Sequence, residues 1–288
     1  MKPAANLSAI LSPARSRMAT HMATNLAVLA LAALAPLAAH AHRQWLLPSA
    51  TVLSGNDSWV TVDAAVSNDL FYFEHVPLRL DNLQVTAPDG SAVKAENAAT
   101  GKYRSTFDVH LTQPGTYRVA VVNQGLFASY KVDGQAKRWR GSAENFAREV
   151  PANAQELTVT QAEGRVESFV TAGKPSDKGL RTTGRGLELA PITHPNDLVA
   201  GDTASFRLLL DGKPAANLKV EVVPGGIRYR DKLQELSVTT DADGKFSVKW
   251  PAPGMYWMEA EVRDDKATFK QAKSRRATYA VTVEVLPQ

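Results

Sequence analysis

From Trp59 onward the chain alternates apolar and polar residues with a period of two, and turn-forming residues interrupt that alternation at short intervals. Trp59-Val-Thr-Val-Asp63, Tyr117-Arg-Val-Ala-Val121 and Phe206-Arg-Leu-Leu-Leu210 carry the pattern. Successive side chains of an extended strand point to opposite faces, so this periodicity fits segments that bury one face and wet the other. Pro88-Asp-Gly90, Gln113-Pro-Gly115, Asp133-Gly134, Asp211-Gly212, Asp243-Gly244 and Pro253-Gly254 fall between them at hairpin spacing. No long helical period competes. The expected fold is mainly β: two immunoglobulin-like or transthyretin-like β-sandwich domains with one short helical excursion.

The first 41 residues read as a secretory leader. Lys2, Arg15 and Arg17 form a basic start, Leu26 to Leu37 an apolar stretch, and Ala39-His40-Ala41 a small-x-small cleavage site. The apolar stretch is shorter than the ~20 residues of a membrane-spanning helix, and Pro36 interrupts it. The expectation is a periplasmic protein processed after Ala41, with an N-terminal domain over 42–186 and a C-terminal domain over 187–288. Within the first, Ala136 to Asn153 lacks alternation and predicts an excursion with a short helix ending before Pro151. Glu156 to Ala172 reads as a hairpin turning near Glu163-Gly164. The Gly- and Lys-rich stretch from Gly173 to Gly186 reads as a linker or mobile loop. Strands are expected near Leu187–Ala190, Thr203–Leu210, Leu218–Pro224, Glu235–Thr240, Lys245–Trp250, Met255–Arg263 and Thr278–Leu286. The charged run Asp264 to Arg276 reads as an exposed loop.

Charge and cysteine content narrow the function. Three of the 33 Lys and Arg residues and none of the 29 Asp and Glu residues precede residue 42, so the remainder carries a net charge of +1, with bases and acids interspersed. That distribution is no nucleic-acid footprint. With no cysteine there is no disulfide, thiolate metal site or cysteine nucleophile. No Gly-x-Ser-x-Gly elbow, His-Glu-x-x-His pair, phosphate loop or dinucleotide fingerprint is present. Asp241-x-Asp243-Gly244 lacks the glutamate of a calcium loop, because position 250 is Trp, and reads as a hairpin turn.

Four histidines follow the leader: His42, His75, His110 and His194. Cleavage after Ala41 would make His42 the first residue, whose α-amine and ring nitrogen can chelate one ion together. His75 closes the aromatic run Phe71-Tyr-Phe-Glu-His75, where a strand would put Phe71, Phe73 and His75 on one face and Tyr72 and Glu74 on the other. His75 is a candidate second imidazole and Glu74 a carboxylate ligand or supporting group, set against the plainer reading of a core plug rimmed by polar residues. His194, in Ile192-Thr-His-Pro195, completes the candidate metal residues, although its surroundings suit a structural role. His110 alternates with Phe107, Val109 and Leu111 and should face solvent.

Three segments carry a family resemblance: His42-Arg-Gln-Trp-Leu-Leu-Pro-Ser49; Ser67-Asn-Asp-Leu-Phe-Tyr-Phe-Glu-His-Val-Pro77; and Leu187-Glu-Leu-Ala-Pro191 with Pro195, Gly201-Asp202 and Leu210-Asp-Gly-Lys-Pro214. Together they resemble the periplasmic "domain of unknown function 4198" family, whose members are often described as NikM-like components of nickel or cobalt uptake. Thr240-Asp-Ala-Asp-Gly-Lys-Phe246 through Pro253-Gly-Met-Tyr256 is similar to transthyretin-like or Cna-B-like sandwich modules. The resemblance implies two β-rich domains, an important processed N-terminus, and a transport or binding role; no enzymatic activity is expected. The expected ligand is nickel, cobalt or copper, and the expected partner a membrane transporter or outer-membrane receptor. Two alternatives stay open. One is a copper-dependent oxidative enzyme using the terminal histidine; the other is an extracellular interaction module that binds no metal.

Overall fold

The computed structural model describes residues 42–288 except Asn56. The expected leader and its cleavage point lie outside the described residues. The alternating segments form strands in three sheets. The first sheet contains β1 (Arg43–Pro48), β3 (Ser58–Ser67), β4 (Val76–Pro77), β7 (Glu96–Thr100) and β8 (Ser105–Leu111). The second contains β2 (Val52–Leu53), β5 (Leu83–Thr86), β6 (Ala92–Val93), β9 (Gly115–Val132), β10 (Gln135–Gly141), β11 (Gln155–Ala172), β15 (Lys219–Pro224), β16 (Leu236–Thr239), β18 (Gly254–Asp264) and β19 (Ser274–Val285). The third contains β12 (Leu187–Pro191), β13 (Thr203–Leu210), β14 (Lys213–Pro214) and β17 (Lys245–Lys249).

Side-chain alternation in the second sheet explains how the layers stack. Trp257 of β18 and Ala280 of β19 join one core with Trp45, Val60, Phe107 and Val121, while their neighbours Tyr256, Met258, Tyr279 and Val281 join another with Leu187, Phe206 and Val248. Adjacent strand residues face opposite ways, so the first and third sheets cover opposite faces of the second. The mainly β sandwich character holds, and the two sandwiches share their middle sheet. No helix among the described residues is long and apolar enough to cross a membrane.

The shared sheet departs from the expected hairpin at Glu163-Gly164. β11 runs unbroken from Gln155 to Ala172, antiparallel to β9 on one side and parallel to β19 on the other. Gly164 makes no turn; it sits opposite Thr278, whose hydroxyl would lie 3.2 Å from any added Cβ, so the glycine permits close strand approach. The excursion contains strand β10, paired with β9, followed by α1 (Ala143–Glu149). Ser142 caps the helix by accepting from the Asn145 N–H, and Phe146 anchors it against Leu126, Ala128 and Val159.

Two polar stretches expected to be free are tied down. In 173–186, the Ser176 N–H donates to Thr116 Oγ1 at 3.0 Å, Leu180 is buried, and the Glu188 carboxylate accepts from the backbone N–H groups of Thr183, Gly184 and Arg185. In 264–276, Arg275 is buried and donates to both Asp264 oxygens and to Asp211, while Phe269 and Ala272 pack beside Phe146. Composition marked both as loops, and most of their charged residues are exposed, but Leu180, Arg275 and the bonds above anchor each stretch to the fold.

The same face of the middle sheet that carries Trp257 also carries Glu259, directly across from Glu221 of β15. Burial lifts the Glu259 carboxyl from its ordinary 4.5 to about 7; Arg276 opposes the rise, and Glu221 and Glu261 add to it. A carboxyl raised in the folded state keeps its proton where the unfolded chain has released it. Its contribution is therefore favourable below the unfolded value and is lost as pH rises toward 7. Glu259→Gln is expected to raise stability by about 1–3 kcal/mol at pH 8 and by close to nothing at pH 4, read from urea midpoints at the two pH values.

Candidate metal centre

The site begins with Trp45, fully buried on β1. Its indole N–H donates to Ser67 Oγ at 2.8 Å, and Ser67 Oγ donates to the Asp69 carbonyl at 2.6 Å, so the core of the first sheet grips the chain just after β3. The following aromatic run is not a strand. Phe71 adopts a left-handed φ of 64°, rare for a bulky side chain, which breaks the expected alternation. Phe71 and Phe73 both pack on Trp45, with ring centroids 5.5 and 5.6 Å away. Gly225 leaves room for Phe71, since an added Cβ would stand 3.1 Å from its ring. The loop is thus plugged into the core at two points, and its polar residues Tyr72, Glu74 and His75 are left at the surface.

Register then brings the histidines together. Arg43 lies opposite Ser67 on one side of β3, and Val76 lies opposite Val66 on the other. His42 and His75, each one residue beyond those pairs, meet at the end of β3. Their rings stack with centroids 3.7 Å apart and planes 2° from parallel. Both are exposed. A parallel stack sets the nitrogen lone pairs side by side rather than convergent, so one ring must turn for both to ligate one ion; exposure leaves that rotation free. β1 is itself fixed from below, where the Trp257 indole N–H donates to the Gln44 carbonyl at 2.9 Å.

Glu74 serves the loop. Its Oε1 accepts from the backbone N–H groups of Asn68 at 2.8 Å and Asp69 at 2.9 Å, and these bonds, the Asp69 one foremost, hold its carboxyl below the ordinary range. Tyr72 leans on residues that the sequence reading did not connect to the site. The Arg228 guanidinium lies 3.7 Å from the Tyr72 ring centroid and 3.7 Å from the Asp69 carboxylate. The Tyr72 and Tyr229 hydroxyls meet at 3.0 Å, and that contact, with Arg228, lowers the Tyr72 pKa. Nothing in the alternation pattern links positions 157 residues apart.

His194 lies elsewhere, half-buried, with both ring nitrogens engaged. Nδ1 accepts from the Asn196 N–H at 3.1 Å, and Nε2 lies 3.0 Å from Thr116 Oγ1. Thr116 Oγ1 already accepts from Ser176, and Thr171 Oγ1 donates to Asn196 Oδ1, so the network is consistent with Nε2–H as the donor to Thr116. Burial lowers the His194 pKa, in keeping with a neutral ring. His194→Ala is expected to cost about 1–3 kcal/mol by orphaning these partners while leaving copper affinity unchanged, as thermal melts and titration calorimetry would register. His110 faces outward as expected, stacked 4.1 Å over Trp59 and bonded to Asp57.

Among the described residues, no three His, Cys, Asp or Glu side chains gather closely enough to hold a metal ion. The stacked pair supplies two imidazoles.

Several solved structures show distant likeness. The D0-D1 domain of Intimin is 15% identical, covering 84% of this chain and 97% of that one, with a TM-score of 0.21. The CbhA fibronectin(III)-like modules of Clostridium thermocellum are 11% identical, covering 84% and 94%, with a TM-score of 0.22. The human OSCAR ligand-binding domain is 13% identical, covering 85% and 100%, with a TM-score of 0.20. Likeness at this level identifies no shared function. No curated protein matches the chain. The family model described as "Domain of unknown function (DUF4198)" matches residues 39–264, and the chain belongs to that family.

Proposed function

We propose that this is a periplasmic metal-binding protein. Processing after Ala41 makes His42 the first residue; its amine and imidazole, with the imidazole of His75, capture a divalent transition metal and pass it to a transport partner at the membrane. The observation that carries the reading is the His42–His75 stack at 3.7 Å, formed by residues 33 positions apart that register alone brings to one strand end. The donor set is nitrogen without thiolate, which suits nickel, cobalt and copper, copper binding tightest in the usual affinity order. The NikM-like resemblance of the three motifs agrees with a role in nickel or cobalt supply, and the transthyretin-like resemblance of the C-terminal segment with a scaffold that presents the site. Because protons compete for the same lone pairs, binding weakens as pH falls.

Titration calorimetry of the processed protein tests the reading. One equivalent of Cu²⁺ should bind, and either His75→Ala or one extra alanine before His42 should weaken binding by at least about 10-fold, or ~1.4 kcal/mol. Equal affinities in all three proteins would eliminate the site.

A further inference from the structure

A cleft of about 510 Å³ lies away from the histidines, and none of its lining residues belongs to the proposed metal site. It sits on the face of the middle sheet that the third sheet covers, beyond the edge of that cover. Its floor is β5, β9 and β11 with Gln84, Gln124 and Arg165, and its wall is the segment Thr183 to Leu187. Its size falls within the range of about 300–1,000 Å³ typical of small-ligand sites.

Floor and wall form one hydrogen-bonded unit. Arg165, 6% exposed, donates to Glu167 at 3.0 Å and to Thr183 Oγ1 at 3.3 Å, and lies 3.4 Å from Glu188. Glu188, 2% exposed, holds the wall through the N–H groups of Thr183, Gly184 and Arg185. Buried charges are costly, and an apolar core of equal volume would serve stability at least as well. Here they fix the shape of a polar cavity, which is the preorganisation a binding site needs.

The lining defines the ligand. The side-chain amides of Asn82, Gln84 and Gln124 both donate and accept, matching hydroxyl groups. No aromatic residue lines the cleft. Glu163 accepts from the Gln161 amide at 2.7 Å and lies 3.7 Å from Arg275, whose closer partners are Asp211 and Asp264, so the place for an anionic group is the rim at Arg185 and not the Glu163 side. Arg185, exposed at the rim, makes no ion pair among the described residues, so its guanidinium is available for a carboxylate. We propose that this cleft binds a small polyhydroxylated carboxylate of the sugar-acid class, with the amides reading its hydroxyls and Arg185 its carboxylate.

Galacturonate, galactose and acetate, titrated separately into isotopically labelled processed protein and followed by NMR, test this. Galacturonate should shift the side-chain amide signals of Asn82, Gln84 and Gln124 and the backbone signals of 183–187, with galactose and acetate each at least about 10-fold weaker. Arg185→Gln, at an exposed position, should keep the melting temperature and abolish the preference for galacturonate over galactose. No shift below ~10 mM galacturonate, equal responses to galacturonate and either control, or a preference that survives Arg185→Gln would overturn the proposal.

Discussion

Replacing Glu167 by alanine is expected to destabilise the fold by about 3–5 kcal/mol, lowering the thermal midpoint by roughly 10 °C or more. Glu167 is 2% exposed on β11 and faces the second core. It accepts from Arg165 at 3.0 Å and from the Tyr279 hydroxyl at 2.8 Å, with Arg118 4.0 Å away. Burial, with Glu167 beside it, raises the Tyr279 pKa well above its ordinary value, so the phenol stays a neutral donor. Removing the carboxylate leaves the Tyr279 hydroxyl without its acceptor and leaves Arg165 only Thr183 Oγ1 and Glu188, 3.4 Å away, so the guanidinium groups of buried Arg165 and half-buried Arg118 share one fewer countercharge. Glu167→Gln keeps an acceptor for Tyr279 but not the countercharge and should fall between. A loss below about 1 kcal/mol for the alanine variant would show that water relieves Arg165 and that the network is less closed than its burial implies.

Trp45→Ala should cost a similar amount, about 3–5 kcal/mol, from a different source. The indole is fully buried and is the surface on which Phe71 and Phe73 pack, so truncation opens a cavity beside both rings and leaves Ser67 without its donor. The consequence reaches the proposed site, because Phe71 holds its left-handed backbone only while its ring stays between Trp45 and Gly225. Copper affinity should fall along with stability. Trp45→Phe, which keeps the apolar contact but loses the indole N–H, should recover much of the stability and show whether the Ser67 bond alone orders the loop. Urea midpoints together with calorimetric affinities separate the two effects; unchanged copper binding in Trp45→Ala would detach the core from the site.

Much of the strand pattern was legible because alternation is a local property. The seven strands expected in the C-terminal half lie where the structure has them, most within one or two residues, and Asp211-Gly212 turns the chain with φ of 52° and 76°. The shared middle sheet was not legible, because a strand's period tells which faces it has and not which strands lie beside it. Val166 to Ala172 is buried on both faces although Glu167, Ser168 and Thr171 interrupt its apolar residues, and Arg165 and Glu167 are a buried pair within a strand that the sequence reads as a hairpin. No local signal marks the pair, because β11 carries polar residues along its whole length.

The histidines show the same division. Sequence singled out His42 and His75 separately, one by a cleavage rule and one by an aromatic neighbourhood, but placed Phe71 to His75 on a strand. The run has strand-like alternation, and Phe71 and Phe73 do pack on one surface, Trp45, but the left-handed Phe71 makes the run a loop and His75 stays exposed instead of following them. Glu74 was expected as a carboxylate ligand or a supporting group, and it accepts from two backbone N–H groups of the loop, bonds that a lone carboxylate beside a histidine does not reveal. His194 was named as a ligand candidate with a structural role noted against it, and its ring joins Thr116 to Asn196.

The most direct test of the metal reading is pulsed EPR of Cu²⁺ bound to the processed protein. Three nitrogen donors, two of them imidazoles, are predicted, with one imidazole lost in His75→Ala and the amine lost when an alanine precedes His42. A copper spectrum that neither change alters would contradict the shared site.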